Sequence, residues 1–149
     1  MATWDELQRA EPDFAGRVEQ RFDRYKHKVM ATLRKDGSPR ISGVEFEFAD
    51  GEVHVGMMPG SLKARDLLRD PRIALHSGTE DPPEDDDPAG QVVDAKLAGK
   101  AIPQPDAEDH HVFHVDIEEA VLITIGTPAD HLVIETWTPQ RGLRARRRK

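Results

Sequence analysis

The chain has 149 residues, of which 37% are hydrophobic, a net charge of −7 and no cysteine. This length predicts one domain with a sizeable core. The lack of thiols excludes disulfides, thiolate zinc sites, iron–sulfur clusters and thiol catalysis, so any redox role requires a bound organic cofactor or haem. No apolar run is long enough to span a membrane and no signal peptide precedes the first helix, so we expect a cytoplasmic protein without a membrane partner.

The charge is divided unevenly along the chain. Six arginines and lysines fall in residues 141–149, so the first 140 residues carry −13. An acidic body disfavours a specific nucleic-acid partner. We therefore predict that residues 139–149 form a basic tail, solvated and irregular or folded back onto acidic surface.

Residues 1–26 have the pattern of an N-terminal helical segment. Thr3 and Glu6 have the spacing of a capping box, and Pro12 interrupts the helical pattern. Apolar residues then recur at helical spacing: Phe14, Val18, Phe22 and Tyr25. This periodicity predicts an amphipathic helix whose apolar face packs against a sheet.

From Lys28 onward the hydrophobic period changes from helical to two. Turn residues at 35–38 and 49–51 separate alternating segments, which predicts a meander of three antiparallel strands ending at Met58. Residues 72–77 resume the alternation, and further strands are predicted at 91–102, 112–126 and 131–137. About seven strands with few helices predict a small antiparallel barrel, of mainly β (α+β) class, over residues 27–138 of a single domain.

The segment between the third and fourth strands carries the strongest chemical signal. Ser61 has the position of an N-cap, and Lys63 lies in the first turn of the helix that follows. Free N–H groups, the positive end of the helix dipole and an ammonium group together suit a phosphate. Ser61 and Leu62 separate Gly60 from Lys63, so this is not a nucleoside-triphosphate loop. The alternative is a capped surface helix with a solvated lysine.

The same helix has a predicted apolar stripe and a predicted end. Ala64, Leu67 and Leu68 form the stripe, and Pro71 stops the helix. On the second predicted strand, Arg40 and Ser42 lie on one face. From that face, the guanidinium of Arg40 and the hydroxyl of Ser42 would contact a ligand lying across the barrel. Each of these two side chains is equally compatible with an ordinary position on the sheet surface.

Other chemistry is disfavoured by spacing. His110, His111 and His114 invite a metal interpretation, but alternation from Phe113 predicts a strand, on which residues 110 and 114 lie about 13 Å apart. Residues 80–90 form a proline-rich acidic loop without the ligand pattern of a calcium site. No serine–histidine–aspartate order or nucleophile elbow occurs, which disfavours hydrolases. We therefore predict no metal site.

Four segments together resemble a known family. They are residues 30–39 (Met-Ala-Thr-Leu-Arg-Lys-Asp-Gly-Ser-Pro), 53–56 (Val-His-Val-Gly), 61–67 (Ser-x-Lys-Ala-Arg-x-Leu) and 70–72 (Asp-Pro-Arg). In this order they resemble the pyridoxamine 5′-phosphate oxidase-like group of flavin and deazaflavin oxidoreductases. The resemblance runs from about residue 12 to residue 137, with its specific motifs confined to 30–77.

The resemblance implies a split β-barrel of six to seven antiparallel strands with an N-terminal helix and short crossing helices. It further implies a homodimer with FMN or a deazaflavin (coenzyme F-420) bound at the subunit interface. The positions that match the family's cofactor-binding motifs are Arg40, Ile41, Ser42, Gly43, Gly56, Met57, Met58, Ser61 and Lys63. No catalytic residue of the protein is identified.

The chain departs from the true oxidases at two places. Those oxidases resemble one another in having a second basic residue beside the lysine, and this chain has Leu62 at that position. Their substrate-binding Arg-x-His motif has no match near Trp137 and Arg141 of this chain. The resemblance thus implies hydride transfer to a small organic substrate other than pyridoxamine phosphate. The alternative is a carrier that binds haem or a flavin without turnover, with His54, His76 or His114 as haem ligands. A structural dimer with an empty cleft is a third possibility.

Overall fold

The computed structural model describes residues 1–79, 81, 84, 86–105 and 111–149. Its helices are α1 (Trp4–Ala10), α2 (Pro12–Asp23) and α3 (Leu62–Arg69). The predicted N-cap of α1 is confirmed, since the Thr3 hydroxyl accepts a hydrogen bond from the Glu6 N–H. Among the described residues, no helix has the length and apolar character needed to cross a bilayer.

Eight strands follow one another between and after these helices: β1 (Lys28–Leu33), β2 (Pro39–Ala49), β3 (Glu52–Met57), β4 (Arg72–His76), β5 (Val92–Pro103), β6 (His111–Ile125), β7 (Leu132–Thr138) and β8 (Gly142–Arg148). The three-stranded meander over β1–β3 is confirmed. The later predicted strands are also confirmed, and their observed bounds differ from the predicted ones by one residue. The segments predicted as a loop at 80–90 and as a link at 103–109 lie partly outside the described residues.

The sheet closes on itself through one long strand. Its order is β3-β2-β1-β4-β5-β6-β7-β8, and β3 also pairs with β6, so six antiparallel strands form a closed barrel. The first residues of β6 pair with β3, as in His54 opposite His114, whereas its second half pairs with β7. Strands β7 and β8 therefore extend the sheet beyond the barrel.

One end of the barrel, here called the aromatic end, is covered by α1 and α2. Phe22 of α2 is fully buried and lies 5.0 Å from the Phe46 ring, and Trp4 of α1 lies 4.5 Å from the Phe48 ring, measured between centroids. The α2 stripe predicted at Phe14, Val18 and Phe22 is buried as expected. Tyr25 lies beyond the end of α2 and is 36% exposed, so its assignment to that stripe was wrong.

The opposite end, here called the polar end, is covered by α3. Ala64 and Leu67 are buried, as the predicted stripe requires, but Leu68 is 55% exposed. Leu68 lies beside Leu67 on a helix with a turn of 3.6 residues, and this short helix buries a narrow face. Two charged or polar residues of the strands, Thr32 and Arg40, face α3 at this end.

The prediction of an irregular end to the chain was wrong for residues 142–148. They form β8, which pairs antiparallel with β7 from Gly142 opposite Thr138 to Arg148 opposite Leu132. Backbone pairing with β7 stabilises this strand without a buried side-chain stripe, because five of its seven residues are exposed. The observed sheet thus has eight strands where the sequence predicted about seven.

Candidate cofactor site

The N-terminus of α3 has the geometry that the sequence predicted. Ser61 precedes the helix in an extended conformation, and its hydroxyl accepts a hydrogen bond from the Ala64 N–H at 3.3 Å. Gly60 adopts φ +71°, which L side chains rarely occupy, and this turns the chain from β3 into the helix. Another orphan N–H of the first turn, that of Lys63, remains available to an anion in the described structure.

Lys63 is held against the barrel. Its Nζ donates a hydrogen bond to the Gly43 carbonyl oxygen at 2.8 Å, and its side chain is half-buried. This bond joins the first turn of α3 to the backbone of β2. It places a positive charge beside the exposed Gly43, where a Cβ would meet nothing within 4 Å.

A buried carboxylate that the sequence analysis did not single out organises the polar end. Asp66 is 2% exposed and accepts hydrogen bonds from Thr32 Oγ1 at 2.7 Å, Arg40 Nε at 2.7 Å and Arg69 Nη2 at 2.9 Å. Burial raises the pKa of Asp66, but these donors outweigh it and hold the pKa below its usual range. Asp66 is therefore ionised in the folded protein, and it ties α3 to β1 and β2.

This network determines what Arg40 offers a ligand. Its Nε is used by Asp66, whereas its Nη groups make no hydrogen bond within the described part of the chain. The side chain is 20% exposed. Arg40 therefore presents a guanidinium of fixed orientation with free donors at its outer edge, which suits a phosphate oxygen.

Of the nine predicted cofactor-binding residues, Ser61 and Lys63 lie at the start of α3, and the other seven divide between the two faces of the sheet. Ile41 and Met58 are 76% and 77% exposed, and Gly43 and Gly56 are exposed on the same outer face, since Gly56 pairs with Glu45. The residues that face inward are Arg40, Ser42 and Met57. The structure thus brings Lys63, Gly43, Gly56 and Met58 toward one outer surface, while Met57 has only its backbone to offer there.

A cavity of about 380 Å³ opens on the outer face of β2, β3 and β6. Its lining includes charges of both signs and one predicted site residue, Gly56. The lining residues are Lys26, Lys28, Glu45, Phe46, Glu47, His54, Gly56 and Val112. The cavity therefore adjoins the predicted cofactor surface and does not contain the phosphate-suited turn.

Among the histidines that the sequence analysis singled out, two form a pair and two others lie apart. The rings of His54 and His114 pack edge to face on neighbouring strands, with centroids 4.4 Å apart. His76 contacts the Ser77 carbonyl and Asp94, and His111 accepts a hydrogen bond from the Gly60 N–H. His110 lies outside the described residues. Within the described ranges, no three histidine, aspartate or glutamate side chains are placed to hold a metal ion.

Several solved structures share this architecture. A pyridoxamine 5′-phosphate oxidase-related, FMN-binding protein from Nostoc punctiforme matches with a TM-score of 0.66 and 11% identity, covering 96% of this chain and 99% of its own. A haem-binding protein from Mycobacterium smegmatis matches with a TM-score of 0.55 and 15% identity, covering 88% and 86%. An F-420 reductase matches with a TM-score of 0.50 and 17% identity, covering 66% and 91%. No protein-family model matches the sequence, and no curated protein matches it.

The chain has the split-barrel fold. The predicted fold class is thereby confirmed, including the N-terminal helices and the short helix that crosses the polar end. At these sequence identities the likeness defines the fold and leaves the ligand to be argued from the chain's own residues.

Proposed function

We propose that the protein is an FMN- or deazaflavin-dependent oxidoreductase that transfers a hydride to or from a small organic substrate. The observation that carries this proposal is the bond between Lys63 Nζ and the Gly43 carbonyl at 2.8 Å. It fixes a cation beside the free N–H groups of α3 and at the edge of an exposed sheet surface. One split-barrel neighbour described as FMN-binding and another named as an F-420 reductase support the choice of cofactor.

The donor set fits a ribityl phosphate. Lys63 and the first turn of α3 supply a positive charge and N–H donors at the outer surface, and Arg40, tied to the same helix through Asp66, offers the Nη groups of its guanidinium at the polar end. A flat, partly apolar surface suits a planar ring. It is formed by Ile41, Gly43, Gly56 and Met58. A bound flavin-type ring would supply the hydride chemistry, and the protein's residues bind and orient it.

The outer face of the barrel supports a homodimer. Val29 and Ile41 are 41% and 76% exposed. Val29 lies opposite Gly43 and His76, whereas Ile41 lies opposite Ala31, which in turn lies opposite Ala74, so small residues separate the two apolar side chains. Exposed apolar patches of this kind mark interfaces in soluble proteins. A second copy related by a two-fold axis would cover this patch and enclose the cofactor surface that borders it.

The dimer is tested by replacing Ile41 with aspartate. We expect Ile41→Asp to sediment as a monomer and to lose cofactor affinity, while Leu68→Asp, at another exposed apolar residue but on α3, leaves both unchanged. Analytical ultracentrifugation and a flavin titration on the same samples give the two readouts. A monomeric wild-type protein that still binds the cofactor tightly would remove the dimer from the proposal.

Haem binding without turnover is the second candidate. The His54 and His114 pair lies beside the cavity lined by Gly56 and Val112, and a split-barrel neighbour is described as haem-binding. His114, or the ring nitrogen of His54 that is not hydrogen-bonded to the Ala49 carbonyl, would serve as a ligand of the haem iron. If haem binds there, His54→Ala or His114→Ala shifts the Soret band, whereas His27→Ala does not.

The deciding experiment is an absorbance titration of the purified protein with FMN, coenzyme F-420 and haem. Saturable binding of a flavin-type ring, followed by oxidation of the reduced cofactor when an acceptor is added, supports the oxidoreductase. Saturable haem binding without flavin binding supports the carrier. Binding of none of the three overturns both and leaves a structural dimer.

A further inference from the structure

Strand β8 is an open edge of the sheet. It lies at the end of the strand order and, in the part of the chain that the structure describes, it pairs with β7 alone. One row of its backbone N–H and C=O groups is therefore available to another strand. Edges of this kind are templates for pairing with a further chain.

Three arginines occupy one face of this edge. Arg144, Arg146 and Arg148 lie opposite Thr136, Ile134 and Leu132, so they share a face and stand about 7 Å apart. All three are exposed, and within the described residues none of their guanidinium groups makes a hydrogen bond or an ion pair. On the opposite face of β7, Glu135 accepts two hydrogen bonds of 2.6 and 2.7 Å from Arg17 of α2.

We propose that β8 binds an extended acidic peptide segment of a partner protein, which adds to the sheet beside it. An extended peptide places every second side chain on one face with the same spacing as the arginines. Carboxylates at alternate positions would then lie directly opposite Arg144, Arg146 and Arg148, while the backbones pair. This inference stands apart from the cofactor site and does not depend on the proposed function.

The sequence favours a peptide over a nucleic acid as the occupant. Strand β8 has the sequence Gly-Leu-Arg-Ala-Arg-Arg-Arg, which offers no aromatic side chain for a base to stack on, and Trp137 of β7 is buried. A long polyanion would also continue past the seven residues of β8 onto a body that carries −13. A short acidic strand avoids that repulsion, and only a peptide strand satisfies the open backbone groups.

Single charges on an edge strand also protect proteins from aggregation. The experiment must therefore distinguish recognition of a particular peptide pattern from general attraction between opposite charges. Fluorescence anisotropy is measured with a labelled eight-residue peptide of alternating glutamate and threonine, and with a block peptide of four glutamates followed by four threonines. Because the two have the same composition, we expect the alternating peptide to bind about tenfold more tightly. Equal binding overturns the proposal.

Backbone pairing is tested with two N-methylated versions of the alternating peptide. One carries methyl groups on the odd-numbered amides and the other on the even-numbered amides. An added strand directs only one of these sets toward β8, so one version should lose binding and the other should retain it. The same affinity for both versions overturns strand addition.

The arginines are tested by charge reversal. Combined Arg144→Glu, Arg146→Glu and Arg148→Glu should weaken peptide binding about tenfold or more. The matched control combines Lys35→Glu, Arg141→Glu and Lys149→Glu, which changes the net charge equally outside the arginine face and should preserve binding. Circular dichroism verifies that both variants are folded. An equal loss in both, or tighter binding of an oligothymidylate of twenty nucleotides than of the peptide, overturns the proposal.

Discussion

The two ends of the barrel are covered by helices in different ways. At the aromatic end, α1 and α2 place Trp4 and Phe22 against the Phe46 and Phe48 rings. At the polar end, α3 is held by the buried carboxylate of Asp66. Apolar packing contributes stability without directional bonds, whereas the Asp66 network fixes the orientation of Arg40. The comparison indicates that one end is held by apolar packing, whereas the other end presents oriented polar groups, to which we assign the cofactor.

The largest expected effect is at the aromatic end. Phe22→Ala should lower the free energy of unfolding by about 3–5 kcal/mol, because the side chain is fully buried and leaves a cavity. Urea denaturation measures this loss. Leu68→Ala, at an exposed apolar residue of α3, should change stability by less than about 0.5 kcal/mol. A small effect of Phe22→Ala would show that the aromatic end is not a main source of stability.

At the polar end, Asp66→Asn should reduce both stability and cofactor affinity. Removing the charge leaves Arg40 and Arg69 without their anionic partner, and we expect a loss of about 2–3 kcal/mol in the free energy of unfolding. The estimate is below that for a fully buried pair because both arginines are partly exposed. Flavin affinity of the folded variant should fall as well, since Arg40 loses its fixed orientation.

The control for Asp66→Asn is Asp70→Asn, which removes the partner of the exposed Arg72 and should have little effect on either measurement. The pH dependence provides a second readout. The depressed pKa of Asp66 means that its stabilisation is complete above the unfolded value of about 3.9 and is lost as the pH falls through the lower folded value. Asp66→Asn should make the free energy of unfolding depend less steeply on pH over this acidic range. An unchanged pH dependence would contradict an ionised Asp66.

Lys63→Ala should weaken binding of the flavin-type cofactor by about 1–3 kcal/mol, the scale of one charge-assisted hydrogen bond. The free energy of unfolding should change less, because the lysine is only half-buried. Lys35→Ala, at an exposed turn, is the matched control. Titration by fluorescence or absorbance measures both affinities, and equal affinities would remove Lys63 from the site.

The smallest effects compare the two helix caps directly. Thr3→Ala and Ser61→Ala each remove one hydrogen bond to a helix N–H, at 3.1 and 3.3 Å, and each should cost about 1 kcal/mol of stability. Only Ser61→Ala should also lower cofactor affinity, because α1 lies at the aromatic end. If both caps changed cofactor affinity equally, the functional division between the two ends would be wrong.

Much of the fold was predictable because its signals are local. Alternation and turn residues defined β1–β3, and the N-caps at Thr3 and Ser61 defined helix starts. Strand β8 was not predictable in this way, because its arginines show no apolar alternation and its stability comes from backbone pairing with β7. The closing pairs between β3 and β6 join distant residues, which periodicity does not report.

The site was predictable only in part for a similar reason. Ser61 and Lys63 belong to one short motif, and the structure places them as a capped helix start. Asp66 was missed because a lone aspartate within a helix resembles a solvated residue, and its three donors come from β1, β2 and α3. The division of residues 40–43 between two faces follows from the strand period, but which face meets a ligand depends on tertiary packing.

Strand β6 has a consequence for how the chain reaches this fold. Hairpins such as β1–β2 and β6–β7 join neighbours along the chain and can form early, whereas pairing residues 54–57 with residues 111–114 requires closing a long loop. We expect the β3–β6 seam to be among the last pairings to form and among the first to exchange its amide hydrogens. His54, His114 and Gly56 lie at that seam, so the cavity beside them would become shaped only when the barrel closes.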